Sequence, residues 1–148
     1  MQEIIFIGIQ ATGKSSFYLE NFHKTHLRLS MDMLKTRNRE EILFTACLHG
    51  KQPFVIDNTN PTKTDREKYI TTAKKHKFST TGYYFKSSLA DSLKRNSKRT
   101  GKENIPEIGI RGTYNKLELP EYSEGFDQLY YVSIVNNCFK VEEWTNEV

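Results

Sequence analysis

One stretch constrains this chain more than any other: Ile4 to Ser16, reading I-I-F-I-G-I-Q-A-T-G-K-S-S. The wholly apolar run Ile4-Ile5-Phe6-Ile7 suits a strand buried on both faces. Directly after it, Gly8, Gly13, Lys14 and Ser15 fill every fixed position of G-x-x-x-x-G-K-[ST]. The glycines let the backbone curl, so that N–H groups along Gly8, Gln10, Ala11, Thr12 and Gly13 point inward at a polyphosphate. Lys14 is placed to reach the β- and γ-phosphates, and the Ser15 hydroxyl to hold Mg²⁺. Tyr18 and Phe22 follow at helical spacing, predicting a helix from Ser16 to Phe22 whose N-terminus also faces the anion. A chance glycine-rich turn has no reason to sit between such a strand and such a helix. The stretch predicts a nucleoside triphosphate site, with ATP and Mg²⁺ as the expected ligands.

At 148 residues the chain is expected to form one domain, long enough to bury a core without staples. Lys and Arg outnumber Asp and Glu by 22 to 18, a surplus whose placement matters more than its size. Cys47 and Cys138 form no motif and are expected as free thiols in a reducing compartment. The N-terminus lacks a basic leader, and no apolar run approaches the roughly 18 residues of a membrane span. The expected location is cytoplasmic, with no membrane partner.

No repeat, low-complexity tract or linker divides the chain. Leu27 to Ser30 reads as a short strand ending at Met31-Asp32. Glu40 to His49 reads as a helix on the pairs Ile42/Ala46 and Leu43/Cys47, with Gly50 as its C′ residue. Phe54-Val55-Ile56-Asp57 is a short apolar strand with a carboxylate at its end, and Asn58-Thr59-Asn60-Pro61 is a turn. Thr64-Asp65-Arg66-Glu67 reads as a capping box opening a helix to about His76. Phe78 to Phe85 is a strand weakened by Gly82. Ser88 and Asp91 cap a helix with Leu89 and Leu93 inward, and Pro106 to Leu117 is helical despite Gly109 and Gly112. Gln128 to Val135 supplies a last core strand and Phe139 to Trp144 an edge strand. The alternation predicts an α/β fold with a mainly parallel sheet and ligands at the strand C-termini.

Asp32 and Asp57 both fall at such ends, and each admits two readings. Asp32 is placed either to take a proton from an attacking hydroxyl or to cap the next helix. Asp57 is either an acid orienting a Mg²⁺-bound water or a turn carboxylate bonded to the backbone of Asn58 to Asn60. Lys94 to Lys102 is the densest basic cluster. Arg95 and Arg99, four apart, share a helix face and can grip one polyphosphate, their planar charge suiting a phosphoryl-transfer state. A solvated helix face or a localisation signal is the plainer reading. Thr62-Lys63-Thr64-Asp65 mimics a guanine-reading motif but opens a helix after Pro61, so Asp65 reads as a first-turn helix acid. His23, His26, His49 and His76 show no metal-ligand spacing beyond a weak H-x-x-H.

Taken together, G-I-Q-A-T-G-K-S, the strand-end Asp of S-M-D-M, I-D-N-T-N-P, and K-R-N-S-K-R with the downstream N-I-P resemble the kinase module of the 5′-polynucleotide kinases. Pro120 to Phe126 also resembles the approach to that module's last strand. The resemblance implies a P-loop kinase, a three-layer sandwich spanning residues 1–148, with a helical lid at about 88–117. It implies Asp32 as general base, Lys14, Ser15 and Ser16 on the triphosphate, and Arg99 assisted by Arg95 as lid arginines. It puts Lys35, Arg37, Asp57 and Asn58 on the acceptor side, with Ser15 and Asp57 at the metal. Two positions depart from the pattern: Met31 stands where many relatives have Arg, and Lys35 where some have Arg. Lys cannot pair with phosphate in bidentate fashion.

The resulting expectation is transfer of the ATP γ-phosphate to a nucleic-acid 5′-hydroxyl end, in end healing or repair. With no phosphatase or ligase module in the chain, separate partners would supply those steps. A P-loop kinase of a nucleoside or sugar is the first rival, and a non-catalytic nucleotide-binding switch the second.

Overall fold

The computed structural model describes residues 1–146. Gln2–Ile7 forms strand β1, followed by helix α1 (Lys14–Asn21), strand β2 (Leu27–Leu29), helices α2 (Met31–Leu34) and α3 (Arg37–His49), and strand β3 (Phe54–Ile56). Then come α4 (Lys63–Lys75), β4 (Ser79–Phe85), α5 (Leu89–Ser97), α6 (Glu107–Lys116), β5 (Gln128–Val135) and β6 (Cys138–Glu143). The strands make one sheet in the order β2-β3-β1-β4-β5-β6. All pairings are parallel except the last, β5 with β6. Parallel neighbours need crossovers, and the helices between them cover both faces.

β1 is central because every side chain from Glu3 to Ile7 is buried. Alternation divides the strand: Ile5 and Ile7 join Phe44, Leu48, Tyr69 and Ile70 beneath α3 and α4. Ile4 and Phe6 join Phe17, Tyr18, Phe85 and Val132 beneath α1. Each such side chain contributes about 1.5–3 kcal/mol by burial. The result is the expected three-layer α/β sandwich. α5 and α6 pack together as the expected lid and reach the phosphate loop through Arg95 and Thr113.

Several local readings change. Ile42 is exposed, and α3 instead buries Glu40, Phe44, Cys47 and Leu48, an i, i+4, i+7, i+8 stripe whose first member is a carboxylate. Gly50 has φ −80°, and the left-handed turn falls one residue later at Lys51, φ 55°. α4 is capped from Thr62 rather than Thr64: the Asp65 N–H donates to Thr62 Oγ1 at 3.1 Å, and the Thr62 N–H to Asp65 Oδ2 at 3.4 Å. Asp65 is thus the first-turn acid, as the N3 residue of a cap that starts two residues earlier than expected. β4 runs unbroken through Gly82. A Cβ there would meet Leu129 Cδ2 at 2.6 Å and Phe126 Cε1 at 2.8 Å, so the bare backbone makes room for those two side chains. Ser88 caps α5 as expected, though Ser92 and Asn96 are the fully buried residues of that helix and Leu89 and Leu93 only half-buried. Cys47 is buried, Cys138 exposed, and both are free thiols. Among the described residues no helix is long and apolar enough to cross a membrane.

Candidate active site

The phosphate loop bridges β1 and α1. Gly13 has φ 92°, a left-handed conformation that costs glycine little, and a Cβ there would also meet Phe139 Cε1 at 2.9 Å. The loop is tied to its surroundings at both ends of its first turn. The Gly8 N–H donates to Thr59 O at 3.0 Å, and the Ile9 N–H to Ser87 Oγ at 3.1 Å. Lys14 is not solvent-facing as a free cation. Its Nζ donates to Ile9 O at 2.6 Å, Gly8 O at 3.0 Å and Thr12 Oγ1 at 3.3 Å. Burial pulls its pKa from 10.5 down to about 8; Asp57 opposes this, Arg99 adds to it, and Asp32 opposes it.

At the end of β3, Asp57 is buried and aims inward. Its Oδ2 accepts from Arg28 Nε at 2.7 Å and from Ser15 Oγ at 3.3 Å, while Arg28 Nη2 donates to Ser15 Oγ at 2.9 Å. The turn-carboxylate reading therefore does not describe Asp57. Two hard oxygens, one charged, lie together where a guanidinium already sits across them, so the position favours a cation. That donor set fits Mg²⁺, which takes one or two protein oxygens and completes its shell with phosphate and water. Among the described residues no group of three or more His, Cys, Asp or Glu offers an all-protein metal site.

Asp32 is the second residue of α2, whose N-cap is Ser30, while α3 is capped by Thr36. Asp32 lines the cavity beside the phosphate loop and caps neither helix. The backbone just before it is held, because the Met31 N–H donates to Asn58 Oδ1 at 2.9 Å and Asn58 Nδ2 donates to Glu40 Oε2 at 2.9 Å. Glu40, only 2% exposed, also accepts from Tyr69 Oη at 2.5 Å and Arg37 Nη1 at 3.1 Å. Burial and the Glu40 carboxylate hold the Tyr69 hydroxyl protonated, so it remains a donor.

The cavity has a volume of about 330 Å³. Of the expected site residues its wall gathers Gln10 to Ser16, Asp32, Arg37, Asp57, Asn58 and Arg99. Gly8 lies beneath it. Lys35 follows α2 with φ 71° and is not on the wall; Arg37 is the basic residue that shares the wall with Asp32. Arg95 faces an adjoining cavity together with Ala11, Gly13 and Phe139, and its Nη1 donates to Ala11 O at 3.4 Å. Arg28 and Glu40 carry no motif and are not legible as site residues from the sequence. Their only signal is a charge at a position that otherwise reads as core-facing.

A family model described as an AAA domain matches residues 4–118, a span that includes the phosphate loop, Asp32, Asp57 and Arg99. The chain is 25% identical over 146 residues to the bifunctional polynucleotide phosphatase/kinase of Schizosaccharomyces pombe. That alignment covers 96% of this chain and 35% of the relative, so the chain spans about a third of its length. A gluconokinase from Sinorhizobium meliloti superposes with a TM-score of 0.61 at 17% identity, covering 89% of this chain and 82% of that one. Kti12 from Chaetomium thermophilum, solved with ADP-AlF3, superposes with a TM-score of 0.67 at 14% identity, covering 88% of each chain. These two likenesses bear on the fold alone. With the loop, both strand-end acids and the lid arginine inside the matched span, the chain belongs to the AAA domain family and has the fold of a P-loop kinase.

Proposed function

We propose that this chain transfers the γ-phosphate of ATP to the 5′-hydroxyl of a nucleic-acid end. The observation that carries the reading is the cavity wall itself. An uncommitted carboxylate, Asp32, and a guanidinium, Arg37, share it with the phosphate loop and the lid residue Arg99. In the proposed reaction the acceptor oxygen bonds to the γ-phosphorus as the bond to the bridging oxygen breaks, and the hydroxyl proton passes to Asp32. Lys14 and Arg99 hold the charge that spreads over the transferring group. Mg²⁺ held by Ser15 and Asp57 would neutralise phosphate charge. Kinship at 25% to a polynucleotide phosphatase/kinase supports the acceptor class, and a phosphatase or ligase activity would complete end healing.

The test is γ-labelled ATP offered with 5′-hydroxyl oligonucleotides, nucleosides and gluconate. Label is expected on the oligonucleotides. Label on a nucleoside or on gluconate instead, or slow ATP turnover indifferent to every acceptor, would overturn the reading in favour of a small-molecule kinase or a nucleotide switch.

A further inference from the structure

Beyond Arg37 lies a second cavity of about 170 Å³, which shares Arg37, Asn58 and Thr59 with the cavity that Asp32 lines. Its far side is built from the start of α4 and the end of α6, which bring Lys68 and Lys116 to it. These are separate elements: Lys68 and Lys116 are 48 residues apart in the chain. The α6 end is fixed there, since the Glu118 N–H donates to Pro61 O at 2.7 Å and Glu118 Oε1 accepts from the Lys63 N–H at 3.2 Å.

The groove is cationic at its surface. Arg37, Lys68 and Lys116 are exposed, while the Glu40 carboxylate that braces Arg37 and lies 4.0 Å from Lys68 Nζ is buried behind them. Lys68 Nζ also lies 4.8 Å from the Tyr69 ring centroid, which fixes where its charge stands. Lys116 has no ion-pair partner among the described residues. Asp65 is the one acid on the wall, and its carboxylate accepts from the Thr62 N–H in the α4 cap. The groove lacks what base reading needs. Tyr69 is buried, Asn60 Nδ2 is committed to Phe6 O at 2.7 Å, and both ends of the Asn58 amide are taken. Cations without free amides or open aromatic faces recognise phosphate and sugar, not sequence.

We propose that the Arg37–Lys68–Lys116 groove is a backbone subsite for the acceptor strand, holding the phosphodiester next beyond the one nearest Asp32, without regard to base. The inference rests on the polynucleotide reading above and deepens it. A mononucleoside acceptor has no second phosphodiester to place in the groove, so the groove separates a polymer substrate from a small one.

The experiment uses the full chain with Lys68→Glu, Lys116→Glu and the double variant. Lys116→Glu, at an exposed helix end, guards against a Lys68 variant that merely disturbs Tyr69. Binding of a 3′-labelled 5′-hydroxyl oligonucleotide of about ten nucleotides is followed by anisotropy over a salt series. Transfer to that oligonucleotide is compared with transfer to a nucleoside 3′-phosphate. The double variant is expected to weaken oligonucleotide binding about tenfold and to make the salt slope shallower by about one, the loss of one phosphate contact. The ratio of kcat/KM for oligonucleotide over nucleoside 3′-phosphate should fall to match. Parent-like binding and slope, or an equal loss on both acceptors, would overturn the subsite while leaving the kinase reading standing. Lysine-dependent binding without any transfer would uphold the groove and overturn the kinase reading. Neither binding nor transfer would overturn both.

Discussion

Lys14 is a cation bonded back to its own loop, and Asp32 is a carboxylate on the cavity wall without a side-chain partner among the described residues. Burial keeps the Lys14 pKa near about 8, whereas the unfolded chain holds that proton to about 10.5. Between those values the unfolded state binds more protons, so Lys14 makes stability rise with pH across that window. Nucleotide binding has the opposite sign. A polyphosphate favours the ammonium, so binding above about pH 8 must take up a proton, and affinity should fall by up to about tenfold per pH unit. Nucleotide affinity measured from about pH 7 to about pH 9.5 should bend downward near pH 8, and Lys14→Met should bind weakly without the bend. A flat parent profile would mean that Lys14 does not meet the phosphates. Asp32→Asn keeps shape and removes basicity. Since Asp32 caps no helix, stability should hold while single-turnover transfer falls about 10²–10⁴-fold with ATP still bound. Transfer near the parent rate would leave Asp57 as the next acid to test. Both residues were legible from the loop pattern and the strand ends. Arg28 was not, because a lone Arg between two leucines announces nothing until β2 is laid beside β3 and its guanidinium reaches Asp57, 29 residues away.

At the scale of elements, what was legible was periodic or short-range: the strand runs, the Ser88 cap, the lid helices. The register of α3 was not, because its buried stripe begins with Glu40 and a carboxylate hides the apolar pattern. That same residue makes α3 part of the site. Glu40 joins α3 to α4 through Tyr69 and to the β3–α4 turn through Asn58, and Asn58 in turn holds the backbone beside Asp32. Glu40→Gln places an amide donor against groups that already donate and leaves Arg37 without its counter-charge. It should cost about 1–3 kcal/mol of stability by urea unfolding. It should also lower kcat, because α2 loses its brace. Asn58→Ala should reproduce the loss in kcat with a smaller loss of stability. If Glu40→Gln changes stability alone, α3 supports the fold but does not position the base.

For the molecule as a whole, the lid is tied at one end to the phosphate loop and at the other to the turn between β3 and α4. The lid starts where Ser87 accepts from the Ile9 N–H of the phosphate loop. It ends where Glu118 meets Pro61 and Lys63, and the clamp there is Arg66, which has no exposed surface. Arg66 Nε and Nη2 donate to the two Glu124 carboxylate oxygens at 2.8 and 3.0 Å. Its Nη1 donates to Asn60 O at 2.9 Å and Glu118 O at 3.2 Å. One guanidinium thus joins the turn after β3, the lid's exit and the approach to β5, and its fork satisfies four acceptors at once. Arg66→Met removes those donors, leaving a carboxylate with 9% side-chain exposure held, among the described residues, by the Glu121 N–H alone and two carbonyls without their donor. The expected loss is about 3–5 kcal/mol. Arg66→Lys keeps the charge but not the fork, so it should recover part of that loss and no more. Urea unfolding should show both as shifts in midpoint at an unchanged slope, because the same surface is exposed on unfolding. A parent-like midpoint for Arg66→Met would mean that the three segments are held in register by apolar packing around Ile70 and Phe126, and that the buried ion pair is dispensable.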